Sequence, residues 1–435
     1  MKTAILAAMM CATAVQPLAA QGPAGQGEPA PRTYIQAGRL LADPASGRVE
    51  SSKTIVVEGG RVVEIRDGFV GDGKVIDLRD SFVMPGFIDS HVHITFQSGP
   101  TSQLDAVTKS ATDQAFDGLV YAQRTLRAGF TTVVDLGADP LAINALRDAI
   151  AAGKVTGPRI IAAGGVAAHG GHGDIHGYRQ EILDLFRAPT LCSGADECAR
   201  AVRLAVQSGA DIIKTASTGG VMSNTAAGLG QQMSDAELVA IVETAHHLGR
   251  KVAAHAHGTD GVNAALRAGV DSVEHGTYLD AESIRLFKAK GSYLVPTLLA
   301  GDTVKRQAET ADWMPANVRA KARIVGPLMI DALRRAHEGG VKIAFGTDSA
   351  VSPHGENARE FALMTKAGLT PIEVIRSATV WGATHIGLQD EIGTLATGKA
   401  ADIVAVKGDP LSDVRALEAM AFVMKGGVVT RAVGE

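Results

Sequence analysis

Apolar and polar positions along this chain follow two alternating rhythms. Short apolar runs fall at 83–93, 131–137, 159–165, 212–217, 251–256, 272–276, 293–298 and 342–348. Runs of this length suit strands buried on both faces. Between most of them lie stretches with apolar residues three and four apart, such as ECARAVRLAVQSGA, DAELVAIVETAHHLGR and GVNAALRAG. That spacing is the period of an amphipathic helix. Strand and helix in strict alternation predict parallel βα units. Eight such units predict an α/β fold closed as a (β/α)8 TIM barrel. Further helices are expected near 317–338, 356–367 and 371–386.

The rhythm changes at both ends. Residues 33–82 hold short alternating segments (TYIQAGRLL, KTIVVEGGRVVEIRDG, KVIDLRD) separated by Gly-Gly and Asp-Gly turns, the pattern of a β-meander. Residues 391–435 return to that style in GTLATGKAADIVAVKGDP and AMAFVMKGGVVTRA. The two ends are expected to pair as one small β-sandwich around a barrel spanning 83–390. Before them, Lys2 is followed by a mostly apolar stretch from Ala4 to Val15, with small residues near Ala14 and Ala20. Residues 1–20 therefore read as a secretory signal peptide, too short to span a membrane. Residues 21–32, rich in Gly and Pro, read as a flexible linker. Export to the periplasm or outside the cell is expected, with no membrane attachment after signal removal.

The chain's 435 residues suit one large barrel plus a small appended domain. Lys and Arg number 42 against 46 Asp and Glu, so there is no basic excess to attract nucleic acid or an anionic membrane. An aromatic content of 4% also disfavours a base-stacking surface. Of the three cysteines, Cys11 falls in the signal, and Cys192 and Cys198 flank SGADE in a polar loop. In an oxidising compartment these two form a local disulfide; otherwise they are free thiols, and the sequence leaves both readings open. Two cysteines without nearby ligand pairs do not make a metal site.

Metal-ligand residue types close the apolar runs. His91 and His93 end VMPGFIDSHVH, Lys214 lies in ADIIKTAS, His255 in KVAAHAH, His275 in DSVEHG and Asp348 in VKIAFGTD. Residues two apart on a strand share a face, so His91 and His93 can grip one ion together. Active sites of (β/α)8 barrels lie at the C-terminal ends of the strands, where these residues fall. The pattern points to metal-assisted hydrolysis. His172, in the GGHGD loop, and His257, two residues beyond His255, are candidates for substrate contact. His169, His176 and His354 fall in loops on the same face. His246, His247, His337 and His385 sit in helical patterns and read as structural. The segment AGDTVKRQAETADWMPANVRAKAR offers Lys305, Arg306 and Trp313 to a substrate, although an exposed lid helix with solvated charges explains them better.

Taken in order, PGFIDSHVH, GGHGD, ADIIKTASTGGVMS, AHAHG, SVEHG, VPTL, GTDS and GTLATGKAADIVAV resemble the amidohydrolase superfamily. Within it they are similar to the secreted dipeptidase, carboxypeptidase and prolidase-like branch that includes ochratoxinase-type enzymes. The resemblance covers residues 33–430. It implies two divalent metal ions, with zinc the expected ion, bridged by a carbon dioxide-derived carbamate on Lys214. It places His91, His93 and Asp348 on one ion, and His255 and His275 on the other. Position alone leaves His255 and His257 as rival ligands; the resemblance favours His255. It further implies that Asp348 takes the proton of the attacking water and passes it to the leaving nitrogen. His172 and His257 then contact a small-molecule substrate: a dipeptide, an N-acyl amino acid or an aryl amide of the ochratoxin A type. A homo-oligomer is also implied. The alternative reading is an imidazolonepropionase-like cyclic amide hydrolase or a deaminase. Such relatives usually use one metal and lack the bridging lysine, so Lys214 argues against them. A non-catalytic binding relative would have lost ligands, and every expected position here is occupied.

Overall fold

The computed structural model describes residues 31–223 and 228–434. The predicted signal peptide and the linker up to residue 30 lie outside the described residues. The apolar runs form one parallel sheet of eight strands: β1 (Phe87–Val92), β2 (Phe130–Asp135), β3 (Arg159–Gly165), β4 (Ile212–Ala216), β5 (Val252–Ala256), β6 (Ser272–His275), β7 (Tyr293–Val295) and β8 (Lys342–Ile343). Neighbours in sequence are neighbours in space, as short right-handed βα connections require. The residues after β8 return to β1 and close the ring. Ser90 N donates to Phe345 O (2.8 Å), Asp348 N to His91 O (2.7 Å) and His93 N to Ser349 O (2.8 Å). The expected (β/α)8 barrel is therefore present.

Three predicted elements differ in extent, each for a local reason. Val83–Pro85 belong to a strand of the terminal sheet, Lys74–Pro85, and the chain crosses into the barrel at Gly86. A Cβ there would lie 2.3 Å from the Thr131 hydroxyl, so only glycine fits the crossing. β7 stops at Val295 because Thr297 is left-handed (φ 50°) and starts the helix Leu298–Thr310. The predicted helix over 371–386 splits into Pro371–Ser377 and Val380–Ile386. The barrel takes the carbonyls at the break: Ala378 O accepts from Ile88 N (2.8 Å) and Ser377 O from Phe345 N (3.1 Å).

The chain ends meet as expected. Thr33–Leu40, Glu50–Glu58, Arg61–Asp67 and Lys74–Pro85 join Ile403–Val406, Met420–Lys425 and Val428–Arg431 in one seven-stranded sheet. Ile403–Val406 runs antiparallel to Lys74–Pro85 and ties the two ends together. The sheet curls on itself: its far edge returns to residues 399–401, with Val62 N donating to Lys399 O and Ala401 N to Gly60 O, both 2.9 Å. The curl encloses a separate apolar core that includes Ile35, Ile55, Leu78, Val83, Ile403 and Phe422. A disulfide joins Cys192 and Cys198. It anchors the short pair Ala167–Ala168 and Leu191–Cys192 beside the barrel mouth. Among the described residues no helix is long and apolar enough to cross a membrane.

Candidate metal centre

The C-terminal ends of the strands bring the predicted residues into one cavity of about 500 Å³. His91, His93, His172, Lys214, His255, His257, His275 and Asp348 all line it. Asp348 Oδ1 lies 3.3 Å from His93 Nε2 and 3.6 Å from His91 Nε2. Lys214 Nζ is 3.5 Å from His91 Nε2. Two triads bring their donor atoms within 4.8 Å of one another: His91, His275 and Asp348, and His255, His257 and His275. The second triad keeps His257 beside His255 as a possible ligand, so the rivalry noted in the sequence persists in the geometry. His172 lies over His255 with ring centroids 3.9 Å apart.

Each ring is aimed by a neighbour on its other nitrogen. His91 Nδ1 meets Glu274 Oε2 (2.8 Å), and His93 Nδ1 meets the Gly137 carbonyl (2.9 Å). His257 Nδ1 meets Thr277 Oγ1 (2.8 Å), His275 Nδ1 meets Thr297 Oγ1 (2.6 Å) and His172 Nδ1 meets Ser223 Oγ (2.5 Å). Such partners fix ring orientation and leave the second nitrogen free for an ion. His255 instead turns Nε2 towards Gly219 O (3.3 Å), which leaves Nδ1 free. His275 (φ 72°), Thr297 (φ 50°) and Asp348 (φ 56°) all have left-handed backbone. For non-glycine residues this costs about 1–3 kcal/mol each and persists only where the surroundings enforce it. The turn at His275 interrupts strand alternation, so consecutive residues Glu274 and His275 both reach His91.

Burial sets the protonation states. It pushes His91, His172, His255 and His275 well below the usual imidazole range, and His257 to about 4. Neutral imidazole is the form that binds metal. Burial also lowers the Lys214 ammonium. No carboxylate pairs with it among the described residues; its one polar contact is His91. A neutral, unpaired amine is the form that adds carbon dioxide, and Gly165, its register partner on β3, leaves open space where a side chain would stand. At Asp348 burial opposes ionisation, but His91 and His93 outweigh it and the carboxylate stays below its usual value. The donor set fits divalent metal: imidazoles that burial keeps neutral at His91, His255 and His275, His93 where burial is outweighed by Asp348 and the ring is raised, an anionic carboxylate, and a buried amine with room to be modified.

The remaining candidates fall elsewhere. His169 is exposed, His176 Nδ1 faces Asp174 O (3.0 Å), and His354 holds Phe96 O (2.8 Å) while stacked on Tyr121. None of the three lines the cavity. His246, His247, His337 and His385 lie in helices, as expected. Lys305 and Arg306 are exposed on the helix Leu298–Thr310, whose other face is buried, and Trp313 packs against the core; none of the three lines the cavity. Sequence reasoning missed Glu274, Thr277, Thr297 and Ser223. Glu274 had a signal: an acid inside a fully buried strand needs a partner.

Fold and centre together define an α/β-barrel hydrolase with its chemistry at the C-terminal rim. The Amidohydrolase family model matches residues 82–433, and the chain belongs to that family. It is a hydrolase acting on amide bonds. It is 32% identical over 373 residues to ochratoxinase from Aspergillus niger, covering 81% of this chain and 76% of that protein. The crystal structure of a Xaa-Pro dipeptidase with methionine bound in its active site is 40% identical, with a TM-score of 0.87 over 92% of this chain and 99% of that one. A prolidase complexed with N-methylphosphonate-L-proline is 30% identical, with a TM-score of 0.82 over 92% of this chain and all of that one.

Proposed function

We propose that this chain is an exported, binuclear metal-dependent amidohydrolase that cleaves dipeptides or N-acyl amino acids, with aryl amides of the ochratoxin type within its range. The observation that carries the reading is Lys214: a buried amine that burial lowers and that no acid hydrogen-bonds among the described residues, surrounded by histidines whose outer nitrogens are already held. His91, His93, His255, His275, Asp348 and carbamylated Lys214 would hold two ions, zinc being the expected metal. The bound ions would lower the pKa of water and polarise the amide carbonyl. Asp348, anionic and beside His93, accepts the proton of the attacking water and returns it to the leaving nitrogen. His172 and His257, neutral and aimed by Ser223 and Thr277, hold the substrate's oxygen atoms. Support for the substrate class comes from similarity to a Xaa-Pro dipeptidase and to ochratoxinase. Assembly as a homo-oligomer belongs to the same reading.

The test is hydrolysis of a panel of dipeptides and N-acyl amino acids, with metal measured on the same sample. About two ions per chain and turnover abolished by chelation are expected. A fully active metal-free preparation would overturn the reading. One ion per chain with preferred cleavage of cyclic amides would favour the imidazolonepropionase-like or deaminase alternative. N-terminal sequencing of native protein should begin between Val15 and Gly22; a mature chain starting at Met1 would remove export.

A further inference from the structure

A bare aromatic ring stands in the wall of the cavity. Phe96 lies in the loop that follows β1, and it is 43% exposed. Among the described residues no other Phe, Tyr or Trp lines the cavity. Its ring lies against the His93 ring, with centroids 5.3 Å apart and planes tilted by 36°. His93 is itself fixed by the Gly137 carbonyl, so Phe96 leans on a rigid neighbour. The backbone that carries the ring is tied down as well. His354 Nε2 donates to Phe96 O (2.8 Å), His354 N donates to Gln97 Oε1 (3.2 Å), and Ser98 N donates to Ala350 O (2.8 Å). His354 is in turn buried and stacked on Tyr121, with centroids 4.6 Å apart.

A single exposed apolar side chain on an outer surface needs no explanation. Phe96 differs, because it faces a cavity beside the histidine cluster and three tertiary hydrogen bonds hold the backbone around it. A flat ring held with part of its surface open to a pocket is suited to receive another ring, by offset or edge contact. Ser98 and Val351, which also line the cavity, carry short side chains and leave room for one. His354 does not line the cavity and acts on it only by holding this loop. The location also fixes which end of a substrate the ring meets. Phe96 touches His93, and His93 Nε2 lies 3.3 Å from Asp348 Oδ1. Asp348 is the group proposed above to return the proton to the leaving nitrogen. Phe96 therefore stands on the leaving-group side, where the C-terminal residue of the substrate sits.

We infer that Phe96 determines specificity by packing on the ring of an aromatic C-terminal residue of the substrate, with His354 as its positioning residue. This rests on the substrate class proposed above and adds to it the side chain that the leaving residue carries. An aromatic ring is favoured over a saturated one of equal size, because ring–ring contact adds to the burial of apolar area.

The test uses the full-length, metal-loaded protein and three substrates: N-acetyl-L-phenylalanine, N-acetyl-L-cyclohexylalanine and N-benzoylglycine, whose ring lies on the acyl side. L-Phenylalanine and L-cyclohexylalanine are titrated calorimetrically in parallel. Wild type should prefer the phenylalanine form by ~2–10-fold in KM and in Kd, the size of one ring–ring contact. Phe96→Leu keeps apolar bulk and should bring that ratio close to one, whereas Phe96→Trp should keep it. If Phe96→Leu does not fold, Phe96→Met carries the same comparison. His354→Phe keeps a ring on Tyr121 but cannot donate to the Phe96 carbonyl, and it should lower the ratio; His354→Gln, which still donates, should restore part of it. Wild type without the preference, or a preference that survives Phe96→Leu, would overturn the inference. Equal losses on the phenylalanine and cyclohexylalanine forms would make Phe96 a plain apolar wall and overturn it too. A loss on N-benzoylglycine as large as that on N-acetyl-L-phenylalanine would overturn the placement on the leaving-group side. Wild type that prefers phenylalanine through Phe96 but cleaves no dipeptide or N-acyl amino acid would retire the substrate reading and leave the ring site standing.

Discussion

The barrel rim and the terminal sheet handle charge in opposite ways. In the sheet, several charged groups pair near the surface with a partner close in sequence or on the next strand: Arg79 with Asp77 (2.6 Å), Arg66 with Glu64 (2.7 Å), Lys53 with Asp67 (2.6 Å). Hydrogen bonding to Arg79 holds the Asp77 carboxyl at about 2, while the sheet's interior stays apolar. At the rim, polar groups face inward, burial is the leading influence on their protonation, and Lys214 makes no ion pair among the described residues. Three rim residues also carry left-handed backbone. The rim gives up local stability to keep donor atoms unpaired and close together, the condition for binding an ion and a substrate.

The largest effect should come from the rim's carboxylate. Asp348→Asn removes the anion and the proton acceptor, and kcat should fall about 10²–10⁴-fold, the usual share of a general base. Thermal unfolding should change little, because the residue is strained and gains its place from function. Unchanged turnover would end the contrast between the two regions.

Next in size, Phe422→Ala opens a cavity in the sheet core, where Phe422 is 1% exposed. A loss of about 3–5 kcal/mol is expected in denaturant titration. Turnover per folded molecule should stay at the wild-type level. A lower kcat at full folding would show that the sheet takes part in the chemistry.

Glu274→Gln is smaller and sharper. It keeps a hydrogen-bonding side chain on His91 but removes the negative charge. Metal affinity, measured by competition with a chelator, should weaken about 10–100-fold, the usual effect of losing an orienting partner. Wild-type affinity would mean that Glu274 only fills space.

The smallest effect is a pH window. In metal-free protein, His257 has a folded pKa of about 4, below the unfolded value of about 6.5. The unfolded chain then binds more protons between those values, so stability declines as pH falls through that window. His257→Asn should flatten part of the decline in urea midpoints. Asp77, held at about 2 against the usual 3.8, contributes stability that is intact above 3.8 and lost only as pH falls towards 2. Asp77→Asn should therefore leave the upper window untouched. A decline equally sensitive to both substitutions would blur the distinction between rim and sheet.

The alternation of apolar runs and amphipathic stretches was legible because burial acts residue by residue. It located the barrel strands, and the ligand-type residues at their ends marked the rim. Boundaries were less legible where tertiary partners overrode local pattern. Val83–Pro85 read as barrel but pair with Ile403–Val406, and the 371–386 helix breaks where β1 and the residues after β8 take its carbonyls. His354 shared a face with the site in the sequence, yet it stacks on Tyr121 and holds the Phe96 carbonyl. A loop histidine's direction depends on which distant backbone it meets.

By itself, then, the sequence determined the alternating βα rhythm, the strand ends that carry His91, His93, Lys214, His255, His275 and Asp348, and the likeness to amidohydrolases. Those follow from short-range periodicity and from residue type. Only the tertiary structure decided that Cys192 and Cys198 are bonded, that Glu274 reaches His91 across a separation of 183 residues, and that Lys214 meets His91 with no acid hydrogen-bonded to it among the described residues. The reason is that hydrogen bonds and charge balance act over a few ångströms. Ring closure sets those distances between residues far apart along the chain, and no local pattern encodes them.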